Sequence, residues 1–164
     1  MHRRRLFPEV LVKLMIIDVC RALVLMHESA WIHCDVKPDN VVMSSKYFKV
    51  IDFGISEWTC DVVEEVALGV SKGTKYFMAP EVLDEDWQVY GHFTDVWGVG
   101  VMAFLMMSMK SELIELPRIG TNIGRQGLNE HFVHSRYSAD LQLLVYRMVS
   151  IDYRDRPSAA EILQ

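Results

Sequence analysis

The chain contains little cysteine and no convincing membrane-spanning run. Its 3 cysteines, Cys20, Cys34 and Cys60, are an odd and scattered set. A disulfide framework is therefore not expected, and a reducing, intracellular compartment is indicated, either cytoplasmic or nuclear. Arginines at positions 3–5 precede an apolar stretch, but Pro8 and several charged residues interrupt that stretch. We therefore expect neither a signal peptide nor a membrane span.

Positive charge is also scarce. Lysine and arginine together number 17 against 22 acidic residues, which gives a formal net charge of -5. This balance argues against nucleic acid or an anionic membrane as a partner. The 164 residues are about half apolar, at 51%. They are enough for one domain with its own core, spanning residues 1–164.

No glycine-rich nucleotide loop is evident. The pattern G-x-G-x-x-A begins at Gly98, but it lies inside one apolar helical stretch. It also lacks the preceding strand of a dinucleotide-binding unit. The glycines at Gly120, Gly124 and Gly127 do not have phosphate-binding spacing either, and we interpret them as loop residues.

Helical patterns dominate the remainder of the sequence. Apolar residues at helical spacing predict a mostly buried helix over residues 8–28. Residues 94–109 are apolar on every side except for Asp95, which predicts a helix buried all round. An amphipathic helix is expected over residues 139–150. A last helix is expected to begin at Ser158, where Ser158 and Glu161 form a capping-box pattern.

Few strands are expected. Apolar runs at 31–32 and 41–43 flank a polar loop, and alternation over 47–51 predicts a strand that pairs with 41–43 in a hairpin. Periodicity is lost over 55–75, which predicts a long functional loop. It is also lost over 109–129, which predicts irregular structure. The expected fold class is mainly α, a helical bundle with a small β-hairpin.

The polar loop at 33–40 carries the chemistry of the chain. It places Asp35, Lys37 and Asn40 within six residues of one another. A carboxylate can orient and deprotonate an attacking hydroxyl, an ammonium can neutralise phosphate charge, and an amide oxygen can hold a magnesium ion. This spacing therefore suits phosphoryl transfer.

Five segments in a fixed order give this loop its context. They are His33 to Asn40, Asp52-Phe53-Gly54, Gly73-Thr74 with Met78-Ala79-Pro80-Glu81, Asp95 to Gly100, and Asp152 to Pro157. Each is weak evidence alone, but the ordered set is specific. The chain resembles the eukaryotic protein kinase superfamily, and in particular its C-terminal lobe. The hairpin would then carry the catalytic and metal-binding loops.

The resemblance implies a role for each candidate site residue. Asp35 would be the catalytic base, Lys37 would contact the transferred phosphate, and Thr74 would tether the substrate-binding segment to both. Asn40 and Asp52 would bind two magnesium ions. ATP and Mg²⁺ are thus the expected cofactors, contacted by Lys37, Asn40 and Asp52.

Six further residues would have structural roles: His33, Phe53, Gly54, Glu81, Asp95 and Arg156. The resemblance implies that Phe53 packs on His33. It also implies that buried Asp95 accepts hydrogen bonds from backbone amides of the catalytic loop, which would satisfy its charge. Glu81 and Arg156 would form a buried ion pair that fastens the activation segment to the lobe.

The resemblance extends to the type of kinase and to its architecture. Lys37 and the pair Gly73-Thr74 are typical of the serine/threonine branch, which transfers the γ-phosphoryl group of ATP to hydroxyls of a protein substrate. The glycine-rich loop and strand lysine of the smaller lobe find no counterpart in the 164 residues. We therefore expect a C-lobe without its N-lobe, truncated at both ends and weak in ATP binding by itself. An N-lobe or a partner protein would cover the open cleft.

One residue departs from the family pattern. Cys34 occupies the position of an arginine that pairs with a phosphorylated residue of the activation segment. Cysteine cannot form that ion pair, and we expect it to fill the space as a buried side chain. Phosphorylation at Thr59 or Ser71 is therefore not expected to switch the catalytic loop.

Two other functions compete with this interpretation. A catalytically incompetent truncated kinase, or pseudokinase, would act as a protein-interaction module. The missing lobe favours that function, and the intact set Asp35, Lys37, Asn40 and Asp52 disfavours it. A small-molecule kinase of the aminoglycoside or choline type shares the His-x-Asp-x-x-x-x-Asn loop. Those families lack the Met-Ala-Pro-Glu segment present at 78–81.

Overall fold

Helices account for most of the ordered structure in this computed structural model, which describes residues 6–59, 66–67, 73–74, 77–83, 89–108 and 136–164. The helices are α1 (Glu9–Glu28), α2 (Pro80–Leu83), α3 (His92–Met107), α4 (Ala139–Met148) and α5 (Ala159–Ile162). The strands are β1 (Trp31–Ile32), β2 (Val41–Met43), β3 (Phe48–Val50), β4 (Glu57–Trp58), β5 (Val66–Ala67) and β6 (Val89–Tyr90). Single 3₁₀ turns cover Pro38–Asn40 and Tyr153–Asp155.

The centre of the core is α3. Every residue from Thr94 to Phe104 is buried, and the helix packs against both α1 and α4. A helix that is apolar all round is stable only when neighbouring elements cover all of its faces. The prediction of a fully buried helix is therefore confirmed. The helix begins at His92 and ends at Met107, two residues earlier at each end than the pattern predicts.

Two glycines allow α3 to lie unusually close to its neighbours. A Cβ atom at Gly98 would lie 2.5 Å from the carbonyl oxygen of Val36, in the loop between β1 and β2. A Cβ atom at Gly100 would lie 2.8 Å from the Cβ of Met148 in α4. Real Cβ atoms essentially never approach other heavy atoms this closely, so a larger residue would displace the loop or the helix.

The longest helix, α1, begins directly after Pro8, whose fixed φ suits entry into a helix. It buries one face made of Val12, Met15, Ile16, Val19, Cys20 and Leu23. The prediction of a helix over 8–28 is confirmed. No helix among the described residues is long and apolar enough to cross a membrane.

Among the described residues, the strands form three antiparallel pairs. β2 pairs with β3, with Val41 opposite Val50, as the predicted hairpin requires. β1 pairs with β4, and β5 pairs with β6. Because β4 and β5 fall inside 55–75, the prediction of a continuous loop there is wrong at these residues. β4 and β5 are each only two residues long, which is too short for any periodicity to show in the sequence.

The two carboxy-terminal helices begin at capped positions. At the start of α4, the Ser138 hydroxyl oxygen accepts a hydrogen bond from the amide of Leu141. At the start of α5, Ser158 and Glu161 exchange hydrogen bonds in the predicted capping box. The irregular stretch predicted over 109–129, with Gly120, Gly124 and Gly127, lies outside the described residues.

Candidate active site

The loop between β1 and β2 is shaped by its own backbone. Cys34 has a positive φ of 67°, a conformation that L-residues adopt rarely and that reverses the chain direction sharply. Pro38 then opens the 3₁₀ turn that ends at Asn40, where its missing N–H costs no hydrogen bond. These two features set Asp35, Lys37 and Asn40 on one short loop next to the hairpin.

Asp95, at the amino-terminal end of α3, anchors this loop. Its Oδ2 accepts a hydrogen bond from the amide of His33 and its Oδ1 one from the amide of Cys34, each at 2.9 Å. A third contact joins Oδ2 to Nε2 of His27 at 2.9 Å. A fully buried carboxylate needs such donors, because an unpaired charge would be very costly to bury. The Asp95 side chain of α3 therefore fixes the position of the loop backbone.

The candidate catalytic residues form one cluster. The Asp35 carboxylate contacts Lys37 Nζ at 2.7 Å and accepts the Thr74 amide at 2.9 Å. Lys37 Nζ also donates to the Thr74 hydroxyl at 2.5 Å. Asn40 Nδ2 donates to the carbonyl oxygen of Asp35 at 2.9 Å and to Oδ2 of the Asp35 carboxylate at 3.1 Å. The structure thus brings together all four residues that the sequence assigns to catalysis, although the loop and Thr74 are far apart in the chain.

The charge state of Asp35 follows from these contacts. Partial burial opposes ionisation, but the hydrogen bonds from Lys37 and Thr74 outweigh it and hold the pKa of Asp35 below its ordinary value. The carboxylate is therefore ionised at neutral pH. An ionised carboxylate beside an ammonium and a hydroxyl can accept a proton from a third group that enters the cluster.

Asn40 and Asp52 are the candidate metal ligands. Because Asn40 Nδ2 is used by Asp35, the amide oxygen of Asn40 is the atom available to a cation. Asp52 lies two residues after the end of β3, is exposed, and has a positive φ of 63°. Its Oδ1 accepts the amide of Gly54 at 3.2 Å. Amide and carboxylate oxygens are the ligands that Mg²⁺ prefers, so the donor chemistry fits. Within the described part of the chain, no three histidine, cysteine or acidic side chains gather into a ready-made metal group.

His33 joins the loop of Asp35 to the loop of Asp52. Its ring packs edge-on against Phe53, with centroids 5.4 Å apart. Its Nδ1 accepts the amide of Asp35 at 3.3 Å, and its Nε2 lies 3.3 Å from the carbonyl of Ile51. The side chain is fully buried. The His33 ring therefore fixes the two loops relative to each other.

A buried ion pair joins α2 to the segment before α5. Arg156 donates from Nη1 and Nη2 to the two carboxylate oxygens of Glu81, at 2.7 and 2.8 Å. Its guanidinium also lies 4.9 Å from the ring centre of Trp97 and donates to the carbonyl of Ser150. The bidentate geometry and the extra partners satisfy both charges away from water.

Comparisons with known proteins show the family to which the chain belongs. The model of the protein kinase domain family matches residues 1–164. The chain belongs to the protein kinase family. Among curated relatives, the ovarian-specific serine/threonine-protein kinase Lok of Drosophila melanogaster is 29% identical over 98% of this chain and 35% of its own length. Human serine/threonine-protein kinase DCLK3 is 35% identical over 62% of this chain and 15% of its own length. Human mitogen-activated protein kinase kinase kinase 19 is 31% identical over 90% of this chain.

This kinase chain spans well under two thirds of the length of the relatives it matches: 35% of Lok, 15% of DCLK3 and 11% of mitogen-activated protein kinase kinase kinase 19. The sequence similarity therefore covers one region of each of these larger proteins.

One contact in the kinase chain was not predicted, and two residues discussed with the phosphorylation switch, Thr59 and Cys34, are buried. The contact of His27 with Asp95 is not predicted, because the two residues are 68 positions apart and a lone histidine in a helix gives no sign of its partner. Thr59 is buried and its hydroxyl donates to the carbonyl of Ala30, so it is a poor phosphorylation site in this fold. Ser71 lies outside the described residues. Cys34 is buried, as expected for a side chain that fills space.

Proposed function

We propose that this protein is a serine/threonine protein kinase that transfers the γ-phosphoryl group of ATP to hydroxyl groups of protein substrates. The observation that carries the proposal is the cluster in which an ionised Asp35 lies between Lys37 and Thr74 and beside Asn40. A carboxylate, an ammonium, a hydroxyl and an amide in contact are the parts that in-line phosphoryl transfer requires.

In the proposed reaction the substrate hydroxyl enters beside Asp35. Its oxygen attacks the γ-phosphorus, the bond to the leaving ADP oxygen breaks, and Asp35 accepts the hydroxyl proton. Lys37 moves its ammonium from Asp35 towards the transferring phosphoryl oxygens, whose charge it stabilises. Thr74 keeps the substrate-binding segment against the catalytic loop through its amide. Bound Mg²⁺ would neutralise charge on the phosphates, with Asn40 and Asp52 as its protein ligands.

The serine/threonine preference rests on two residues. Lys37 and Thr74 contact each other directly, so the segment before α2 is held close to Asp35. The resemblance associates both residues with the serine/threonine branch. Two of the relatives named above carry serine/threonine-protein kinase in their names, which supports the same preference.

We also propose that residues 1–164 supply the larger lobe of the kinase and that another part of the polypeptide, or a partner protein, covers the ATP phosphates. Large apolar side chains next to the catalytic and metal-binding loops are exposed, with Val42 at 47%, Met43 at 61% and Phe53 at 55%. Apolar surface beside a site is commonly covered by another domain or chain. An N-lobe of the kinase type is the occupant that fits the proposed chemistry.

The test is phosphate transfer by the complete polypeptide that contains these residues. It would be incubated with Mg²⁺ and γ-labelled ATP and offered peptides in which serine, threonine or tyrosine is the single acceptor. We expect label on the serine and threonine peptides, and none when Mg²⁺ is removed by a chelator. Label confined to tyrosine would contradict the proposed specificity. Binding of ATP without any transfer would contradict the enzyme and favour a protein-interaction module.

A further inference from the structure

Two histidines stack beside the anchor of the catalytic loop. The rings of His27 in α1 and His92 in α3 are nearly parallel, at 8°, with centroids 4.1 Å apart. Nε2 of His27 lies 2.9 Å from Oδ2 of Asp95, and these side chains are 9% and 0% exposed. His92 has no part in the proposed transfer reaction, yet it packs against the residue that contacts the loop anchor.

The stack disfavours a proton on His92. A charge on that ring would lie against the ring of His27, with centroids 4.1 Å apart, where a nearby positive charge repels it at low effective dielectric constant. Burial, followed by the charge of His27, lowers the pKa of His92 to about 4, although Asp95 acts in the opposite direction.

The surroundings offer His92 little compensation for a charge. Within the described residues, the groups that act on its titration are His27 on α1 and Asp95 on its own helix. The Asp95 carboxylate is already shared by His27 and by the amides of His33 and Cys34. His33 uses its ring nitrogens on the amide of Asp35 and the carbonyl of Ile51, so it does not face the stack as a charge partner.

We propose that His92 is a positioning residue whose neutral ring, stacked on His27, holds His27 against Asp95, and that protonation of His92 opens the stack and loosens the catalytic loop. The link is direct, because Oδ2 of Asp95 serves both His27 and the amide of His33. When the ring of His27 moves away from Asp95, the buried carboxylate keeps only two of its three partners. The hydrogen bonds from Asp95 to the amides of His33 and Cys34 then hold the loop less firmly.

The direction of the pH effect follows from linkage. His92 binds a proton less well in the closed stack than in an open one, where its pKa returns towards the ordinary value of about 6.5. The contribution of the stack is therefore complete above that value and declines as the pH falls towards 4. Because His92 is only half-buried, part of the full effect is screened by solvent. We expect the population of the open form, relative to the closed form, to increase by about tenfold as the pH falls from 7 to 5.

The test measures amide hydrogen exchange by NMR in the complete polypeptide that contains residues 1–164. Protection factors for the amides of His33 and Cys34, corrected for intrinsic exchange, should fall by about tenfold from pH 7 to pH 5 in the unmodified chain. His92→Phe keeps a stacking ring but cannot take a proton, so its protection factors should stay level over that range. Equal pH dependence in the two chains would overturn the proposal.

A second measurement keeps the inference open to refutation even if the variant fails to fold. The ring nitrogens of His92 can be titrated by NMR in the unmodified chain, and we expect the ring to stay neutral down to about pH 5. Titration of His92 near pH 6.5 in the folded chain would overturn the inference. The loop is that of the proposed function, but both measurements record its order without any phosphate transfer. The inference and the proposed function can therefore fail separately.

Discussion

At the scale of single residues, Arg156 offers the clearest stability prediction. Its side chain is fully buried and pairs with Glu81 at 2.7 Å. Arg156→Met removes one charge of a buried pair and leaves the Glu81 carboxylate without its partner. We expect the free energy of unfolding to fall by about 3–5 kcal/mol. Chemical denaturation followed by circular dichroism would measure the difference.

The same turn provides a matched control. Arg154 lies two residues earlier and also pairs with an acid, Asp152, at 2.8 Å, but its side chain is 76% exposed. Exposed pairs contribute little, so Arg154→Met should leave the free energy of unfolding nearly unchanged. Equal losses for the two variants would show that the Glu81 pair is not buried in solution as the structure has it.

The partners of a residue were predictable from the sequence where its side chain cannot be buried without them. An aspartate inside an apolar helix must find donors, which the sequence alone indicates for Asp95. The family resemblance implied that these donors are the loop amides, and the structure shows that contact. The sequence could not indicate that His27 is a third partner, because a histidine is compatible with many surroundings. The positive φ at Cys34 and Asp52 was equally hidden, since neither residue type requires that conformation.

At the scale of elements, Glu9 joins the start of α1 to the start of α4. Its carboxylate accepts hydrogen bonds from the amide and the hydroxyl of Ser138, at 2.6 and 2.8 Å. The hydrogen bond from Lys13, followed by those from Ser138, lowers the pKa of Glu9 to about 2. A lowered carboxyl pKa means that this contribution is present above the ordinary value of about 4.5 and is lost as the pH falls.

The pH dependence of the melting temperature tests this link between helices. Glu9→Gln should melt a few degrees below the unmodified chain at pH 7, and the gap should narrow as the pH is lowered from 5 to 3. Glu28→Gln, at the exposed far end of α1, is the control and should leave the melting profile nearly unchanged. A gap for Glu9→Gln that stays constant with pH would show that the carboxylate charge is not what joins the helices.

Elements differed in how well their sequence revealed them. Helices α1, α3 and α4 are long enough for apolar spacing to repeat, so their existence was predictable and only their ends shifted. β4 and β5 were missed because two-residue strands are created by partners distant in the chain. A local pattern cannot encode such a pairing.

At the scale of the whole molecule, the site is assembled by long-range contacts around α3. Gly98 lets the helix lie against Val36 of the catalytic loop, Asp95 holds that loop by its amides, and Thr94 donates to Glu81 at 3.5 Å. One buried helix thus positions Asp35, its loop and the ion pair. The family resemblance gave the order of these parts, while the distances between them required the fold.

The account depends on Asp35 as the proton acceptor in phosphoryl transfer, and its most direct test is the transfer rate of Asp35→Asn in the complete polypeptide. Lys46→Ala, on the exposed turn of the β2–β3 hairpin, is the control. We predict that Asp35→Asn lowers kcat by about 10²–10⁴ with little change in the KM for ATP, while Lys46→Ala keeps the full rate. A rate for Asp35→Asn equal to that of the control would contradict the assignment of this cluster as the catalytic site.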